Sequence, residues 1–194
     1  MKGTPVVCAL VAMLSPPLAS AETYVELFFV DYAGQLGKNL YAEQTLTRNT
    51  SALLNHYEDD FYESTYAGLA RQIGDVQVGL GLGEARYDDT SHFAYNPWLW
   101  YQKNGWEGYV EYEYPPSDND NYYYRGYLYK DIGSYLFAGV YSERNVGSGP
   151  VVGVKFEAES AGVVFNIVKP TFNKPGMGGD PTSWVGYVTA WVSF

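Results

Sequence analysis

The chain is short of the things that hold most exported or membrane-spanning proteins together. Of its 194 residues one is cysteine, Cys8, so no intramolecular disulfide can form. No apolar run approaches the roughly 20 residues a membrane helix needs, and the mean hydropathy is -0.24, which excludes a helical membrane bundle. Bases are scarce as well. Twelve Lys and Arg against 22 Asp and Glu give a net charge of -10, the wrong sign for contacts to nucleic-acid phosphates. Only two histidines are present, and no carboxylate cluster has calcium-loop spacing. Asp118-Asn119-Asp120 comes nearest, so neither a dedicated metal site nor a cofactor is expected.

The N-terminus reads as an address. Lys2 precedes the apolar stretch Val6–Leu14, followed by Pro16, Pro17 and the small-residue triplet Ala19-Ser20-Ala21. That order predicts a secretory signal peptide over 1–21, cleaved after Ala21. The predicted mature domain, 22–194, then contains no cysteine, and losing Lys2 leaves 11 bases against 22 acids, net -11. An exported chain without disulfides needs another closure, and a hydrogen-bonded ladder joined to itself supplies one.

What the sequence has in abundance is aromatic residues and alternation. Twenty of its residues are tyrosine and 21 are glycine. Val76, Val78, Leu80 and Leu82 share one parity while Gln77, Gly79, Gly81 and Gly83 share the other; Val110 and Tyr112 alternate with Glu107, Tyr109, Glu111 and Glu113. This period of two is the strand signature. It predicts about ten strands, near 23–32, 60–71, 75–86, 92–103, 105–114, 121–130, 134–143, 150–159, 161–169 and 183–194. Residues 33–59 are expected to form a long connection, with a short helix at Ser51–Tyr57 or an extra strand at Leu40–Arg48 as alternatives, so that 8 or 12 strands remain open. Most segments match the roughly 9–11 residues of a tilted membrane strand. Tight turns such as Gln72-Ile73-Gly74 and Lys103-Asn104-Gly105 alternate with longer polar loops, and aromatic residues such as Tyr62, Tyr87, Tyr95, Trp98, Trp106, Tyr141 and Trp184 stand near strand ends, where a membrane barrel carries its interfacial girdles. The expected fold is therefore an all-β, antiparallel, up-and-down transmembrane barrel.

The last segment, Trp184–Phe194, alternates and stops on phenylalanine. With Phe194, Val192, Ala190 and Val188 in register, it resembles the C-terminal strand of bacterial outer-membrane β-barrel proteins. That resemblance covers the predicted mature chain as an architecture, similar to the class of OmpA-type and OmpX-type barrels, ten-stranded omptin proteases and lipid A-modifying enzymes. It implies an outer-membrane location, a terminal signal read by the barrel-assembly machinery, escort by periplasmic chaperones, and contact with outer-membrane lipids and lipopolysaccharide.

Three sites are candidates for function. Glu63, Arg71, Glu107, Glu111, Glu113, Arg125, Lys155 and Glu157 are assigned to the lumen, where acids and bases on neighbouring strands should pair. A salt-bridged plug and a narrow cation-preferring channel for ions or small solutes both follow from such a lining, and the bare parity Gly79, Gly81, Gly83 favours open space. His56 with Asp60, and His92 with Asp89, are low-ranking candidates for a rim hydrolase of omptin-like or lipid A-modifying type; otherwise no enzyme is expected. The segment 33–59 is long enough to serve adhesion or recognition.

Overall fold

A computed structural model describes residues 22–32, 35–59, 62–87, 90–117, 122–144, 147–158, 160–169 and 184–194. The predicted signal peptide, Asp60, Asp89 and Asp118–Asp120 lie outside these residues. Twelve strands form one closed antiparallel wall: β1 (Thr23–Tyr32), β2 (Gln35–Thr47), β3 (Thr50–Glu58), β4 (Tyr62–Ile73), β5 (Val76–Tyr87), β6 (Thr90–Lys103), β7 (Trp106–Glu113), β8 (Tyr123–Ile132), β9 (Leu136–Glu143), β10 (Gly147–Ala158), β11 (Ala161–Val168) and β12 (Val185–Ser193). Each strand pairs with the next, and β1 pairs with β12 from Tyr24↔Ser193 to Asp31↔Gly186. At this seam the amide of Thr23 donates to the carbonyl of Phe194 (2.8 Å), and the amide of Phe194 donates back to Thr23 (2.9 Å). Ring closure removes the free sheet edges that hydrocarbon does not tolerate.

The strand count is 12, the higher of the two alternatives to ten, because the alternative strand at Leu40–Arg48 falls within β2 for all but its last residue and 33–59 is not a long connection. It holds β2 and β3, joined by a tight turn at Arg48-Asn49. There is neither a helix at Ser51–Tyr57 nor an extended recognition loop in the described part of this segment. The turn-rich rim also carries Asn104-Gly105 between β6 and β7, both at positive φ (53° and 72°), the conformation an Asn-Gly hairpin turn requires.

Alternation sorts the side chains into two faces. Leu69, Leu80, Leu82, Leu99, Val110, Leu128, Val140, Val152, Phe165 and Ile167 are exposed on the outside of the wall, as a face wetted by acyl chains should be. Val188, Ala190, Val192 and Phe194 continue this outer face on and just after β12. At the loop side of β2–β6 the same face turns polar: Lys38 pairs with Glu58 (3.1 Å), Glu63 pairs with Arg86, and Ser91 donates to Glu84 (2.5 Å). The apolar band ends there. Glu63 therefore stands outside the wall, not in the lumen, and Arg71 does too, between exposed Leu69 and Ile73 on the outer face of β4. Charge alone placed them inside; strands longer than the band put them at its margins.

The bare glycine faces are not empty space. A Cβ on Gly79 would overlap the indole of Trp98, and one on Gly153 would overlap the ring of Phe137. Each glycine is the recess that lets an inward ring from the neighbouring strand lie flat against the wall.

Two stability predictions follow from this sorting. Leu80→Arg should cost about 2–4 kcal/mol at mid-bilayer depth, read by urea-dependent folding into lipid vesicles; an unchanged midpoint would place Leu80 in water. Gly79→Val should cost about 1–3 kcal/mol through overpacking, and a neutral result would mean that Trp98 has room to move.

Candidate functional site: an acidic, tyrosine-lined lumen

Among the described residues, inward strand positions carry eight acids, Glu26, Glu43, Glu107, Glu111, Glu113, Asp131, Glu143 and Glu157, and two bases, Arg125 and Lys155. A carboxylate withdrawn from bulk water needs donors. Here most of them are phenols. On a strand, residues two apart share a face about 7 Å apart, a span that a tyrosine ring bridges. Tyr24 donates to Glu26 (2.6 Å), Tyr41 to Glu43 (2.6 Å), Tyr57 to Asp59 (3.1 Å), Tyr109 to Glu111 (3.0 Å) and Tyr141 to Glu143. The repeated Tyr-x-acid spacing is thus a local device for holding an inward carboxylate. It was visible in the sequence as a spacing, yet it draws attention only once the two residues are known to share the inner face.

The lumen has three levels. In the half toward the loops, Glu113 accepts from Tyr87 (2.9 Å) and Tyr62, while Glu143 accepts from Tyr123 (2.5 Å), Tyr187 (3.1 Å) and Tyr141. These two carboxylates are only 2% and 1% exposed, so the surrounding phenols rather than bulk water hold them. At the waist, Arg125 on β8 meets Glu111 on β7 at 2.9 Å, its directly opposed residue in the ladder. The guanidinium also lies 4.6 Å from the ring centroid of Phe28 and 5.5 Å from that of Tyr109. Phe28 is on β1, five strands from β8 by the shorter way round the wall, so Arg125 and Phe28 meet across the lumen. Phe28 and Glu26 consequently share the inward face of β1.

The half toward the tight turns is different. Glu26, Glu43 and Glu107 remain partly exposed. Gln77 donates to Glu43 (2.8 Å) and Tyr127 to Glu107 (3.1 Å), while Lys155 pairs with Asp131 (2.9 Å) and Glu157 (3.4 Å) close to the rim. A series of aromatic ring contacts follows the wall and crosses the lumen between β2 and β6: Trp191 to Tyr24 (5.9 Å), Tyr24 to Tyr41 (6.1 Å), Tyr41 to Trp98 (6.4 Å), Trp98 to Tyr109 (6.4 Å), Tyr109 to Tyr127 (5.5 Å), Tyr127 to Tyr129 (4.2 Å) and Tyr129 to Phe137 (4.7 Å).

Of the residues assigned to the lumen from sequence, Glu107, Glu111, Glu113, Arg125, Lys155 and Glu157 face inward; Glu26, Glu43, Asp131 and Glu143 join them. Aromatics near the strand ends divide between two roles. Tyr95, Trp106, Tyr114 and Trp184 are exposed on the outer face, whereas Tyr62, Tyr87, Trp98 and Tyr141 point inward. The histidines are not brought together. His56 is on the outer face of β3, with Nδ1 2.9 Å from Thr65 Oγ1 and Nε2 3.8 Å from Glu58. His92 has the inward parity of Ala94 on β6, with Nδ1 2.9 Å from Ser117 Oγ. No group of three or more potential metal ligands is present among the described residues.

Comparison with known proteins supports the fold. No family model and no curated protein matches the chain. It is similar to a membrane protein solved in work on the mechanism behind in-meso crystallization of membrane proteins, at 12% identity and a TM-score of 0.58, over 89% of this chain and 84% of that one. A second similarity, to the in-vitro folded outer membrane protein OmpT of Vibrio cholerae, spans 90% of this chain and 97% of that one at 10% identity and a TM-score of 0.32; that overlap is too loose to carry an argument. The wall, its faces and its closure are those of a closed antiparallel β-barrel with an apolar outer face.

Truncating one member of the waist pair leaves the other as a buried unpaired charge. Arg125→Met should cost about 3–5 kcal/mol, and Arg125→Met with Glu111→Met should recover most of it. Additive losses in this double-mutant cycle would show that the two do not interact.

Proposed function

We propose that the protein is a narrow, cation-preferring channel of the bacterial outer membrane, held closed at its waist in this conformation. The observation that carries the reading is the imbalance of the inner face, eight acids to two bases. Fixed negative charge along a pore bounded by a low-dielectric wall raises the local concentration of cations and repels anions. Closure has an identified cause. Arg125 meets Phe28 across the lumen, and above it the tyrosines around Glu113 and Glu143 narrow the half toward the loops. The barrel fold supports an outer-membrane location, with the apolar outer face against lipid and the polar margin of β2–β6 toward lipopolysaccharide; delivery by periplasmic chaperones and the assembly machinery belongs to the same proposal.

Planar-bilayer recording tests the reading. The wild-type barrel should give small, infrequent steps whose reversal potential in a salt gradient has the sign of cation preference. The double variant Arg125→Ala/Glu111→Gln, which clears the waist without stranding a charge, should give larger steps of the same sign. Anion preference, or silence from both folded barrels, would overturn the proposal.

A further inference from the structure

One pair of strands stops short of the loops. β6 and β7 are paired from Lys103↔Trp106 to Trp98↔Glu111, and beyond that, among the described residues, only the isolated rung Tyr95↔Tyr114 joins them, although β6 itself continues to Thr90. The ladders on either side run on without a gap, to Tyr87↔Thr90 between β5 and β6 and to Glu113↔Tyr123 between β7 and β8.

Prolines account for the interruption. Tyr95 and Tyr114 exchange both backbone hydrogen bonds (3.0 and 2.9 Å), so the backbone of β6 faces β7 at Tyr95 and at every second residue from it. Pro97 stands at the next such place and has no N–H for the carbonyl of Tyr112. Past the rung, β7 gives way to Pro115-Pro116, and Pro116 has no N–H for the carbonyl of Phe93. On a wall that faces hydrocarbon no water replaces a missing donor, so the ladder is weakest here. A side chain holds the seam instead. Glu113 on β7 accepts from Tyr87 on β5 (2.9 Å) and from Tyr62 on β4, both across the gap.

We infer that this seam is the moving joint of the barrel. β6 and β7 part between Pro97 and the loops while the rungs from Trp98↔Glu111 downward stay closed, and Glu113 is the latch, bound to Tyr62 and Tyr87 when the seam is shut. Parting carries Glu113 away from the tyrosines of β4 and β5 and widens the half of the lumen that they narrow. The role of the joint as a gate rests on the channel proposed above; the joint itself does not.

Residue-resolved hydrogen exchange of the folded full barrel in micelles tests the joint. Tyr95 and Ala94 are adjacent on β6, but the amide of Tyr95 faces β7 and that of Ala94 faces the unbroken β5 ladder. Tyr95 and Tyr114 should exchange about tenfold or more faster than Ala94. Pro97→Val, which returns the missing N–H, should slow both, its folding checked by heat-modifiable gel mobility. Equal protection of Tyr95 and Ala94 in the wild type, or no slowing in the folded variant, would overturn the inference. For the gate, Tyr95→Cys/Tyr114→Cys places a disulfide across the exposed rung in a mature chain predicted to hold no other cysteine; the Cα separation of about 5.5 Å usual for such a rung is within disulfide reach. Oxidation should all but abolish channel openings and reductant should restore them, whereas unchanged openings in barrels shown to be cross-linked would overturn the gate. A barrel silent in every state removes the channel and the gate together, and the exchange result then decides the joint alone.

Discussion

The structure depends on one requirement: every backbone N–H and C=O in the wall must find a partner without help from the surroundings. In hydrocarbon an unpaired group costs several kcal/mol, and a sheet with two free edges has a row of them. Pairing β1 with β12 meets the requirement, and its consequences reach every other level. Once the wall is closed there is an inside and an outside, and the period-two alternation of each strand becomes a choice between lipid and lumen. The seam is made by the ends of the described chain, where Thr23 and Phe194 exchange hydrogen bonds.

Closing the wall creates a second problem, to which the tyrosine content is the answer. A 12-stranded barrel has an interior wide enough to need filling, and this one fills it with acids that few bases neutralise. Rings do both jobs, occupying volume and ending in a hydroxyl. Three tyrosines converge on Glu143, and glycines at 79 and 153 give up their side chains so that rings on adjacent strands can lie in the recess. Composition, packing and electrostatics therefore have one explanation. The waist pair, Arg125 with Glu111, is the place where the long charged side chain of one wall reaches the opposite one.

Much of the wall was legible in the sequence. Strands with an uninterrupted greasy parity, such as β5 and β11, fall within a residue or so of their expected bounds. β2 is foreseen only in part, as the alternative strand over Leu40–Arg48, and β3 not at all, for a physical reason. On β2, Lys38 and Gln44 interrupt the outer face while Tyr41 sits on the inner one, and on β3 Leu53 and Leu54 are adjacent, one on each face; the alternation is present in the backbone and absent from the hydropathy. Their hairpin also turns at Arg48-Asn49, without the glycine that marks other tight turns. For the lumen, charge was a sound guide in mid-strand and a poor one at strand ends, where Glu63 and Arg71 stand outside because their strand overshoots the apolar band. The aromatics misled in the opposite sense. A tyrosine near a strand end suits a headgroup and a buried carboxylate equally well, and only the register separates Tyr95, outside, from Tyr62, inside.

The sorting of faces is the claim beneath all of this, and quenching by acyl-chain-brominated lipid measures it directly. In vesicles, a single tryptophan placed at Leu80 or Val140 should be strongly quenched, whereas the native Trp98, kept as the only tryptophan, should be nearly unaffected because the wall stands between it and the lipid. Equal quenching at Trp98 and at Leu80 would contradict the account.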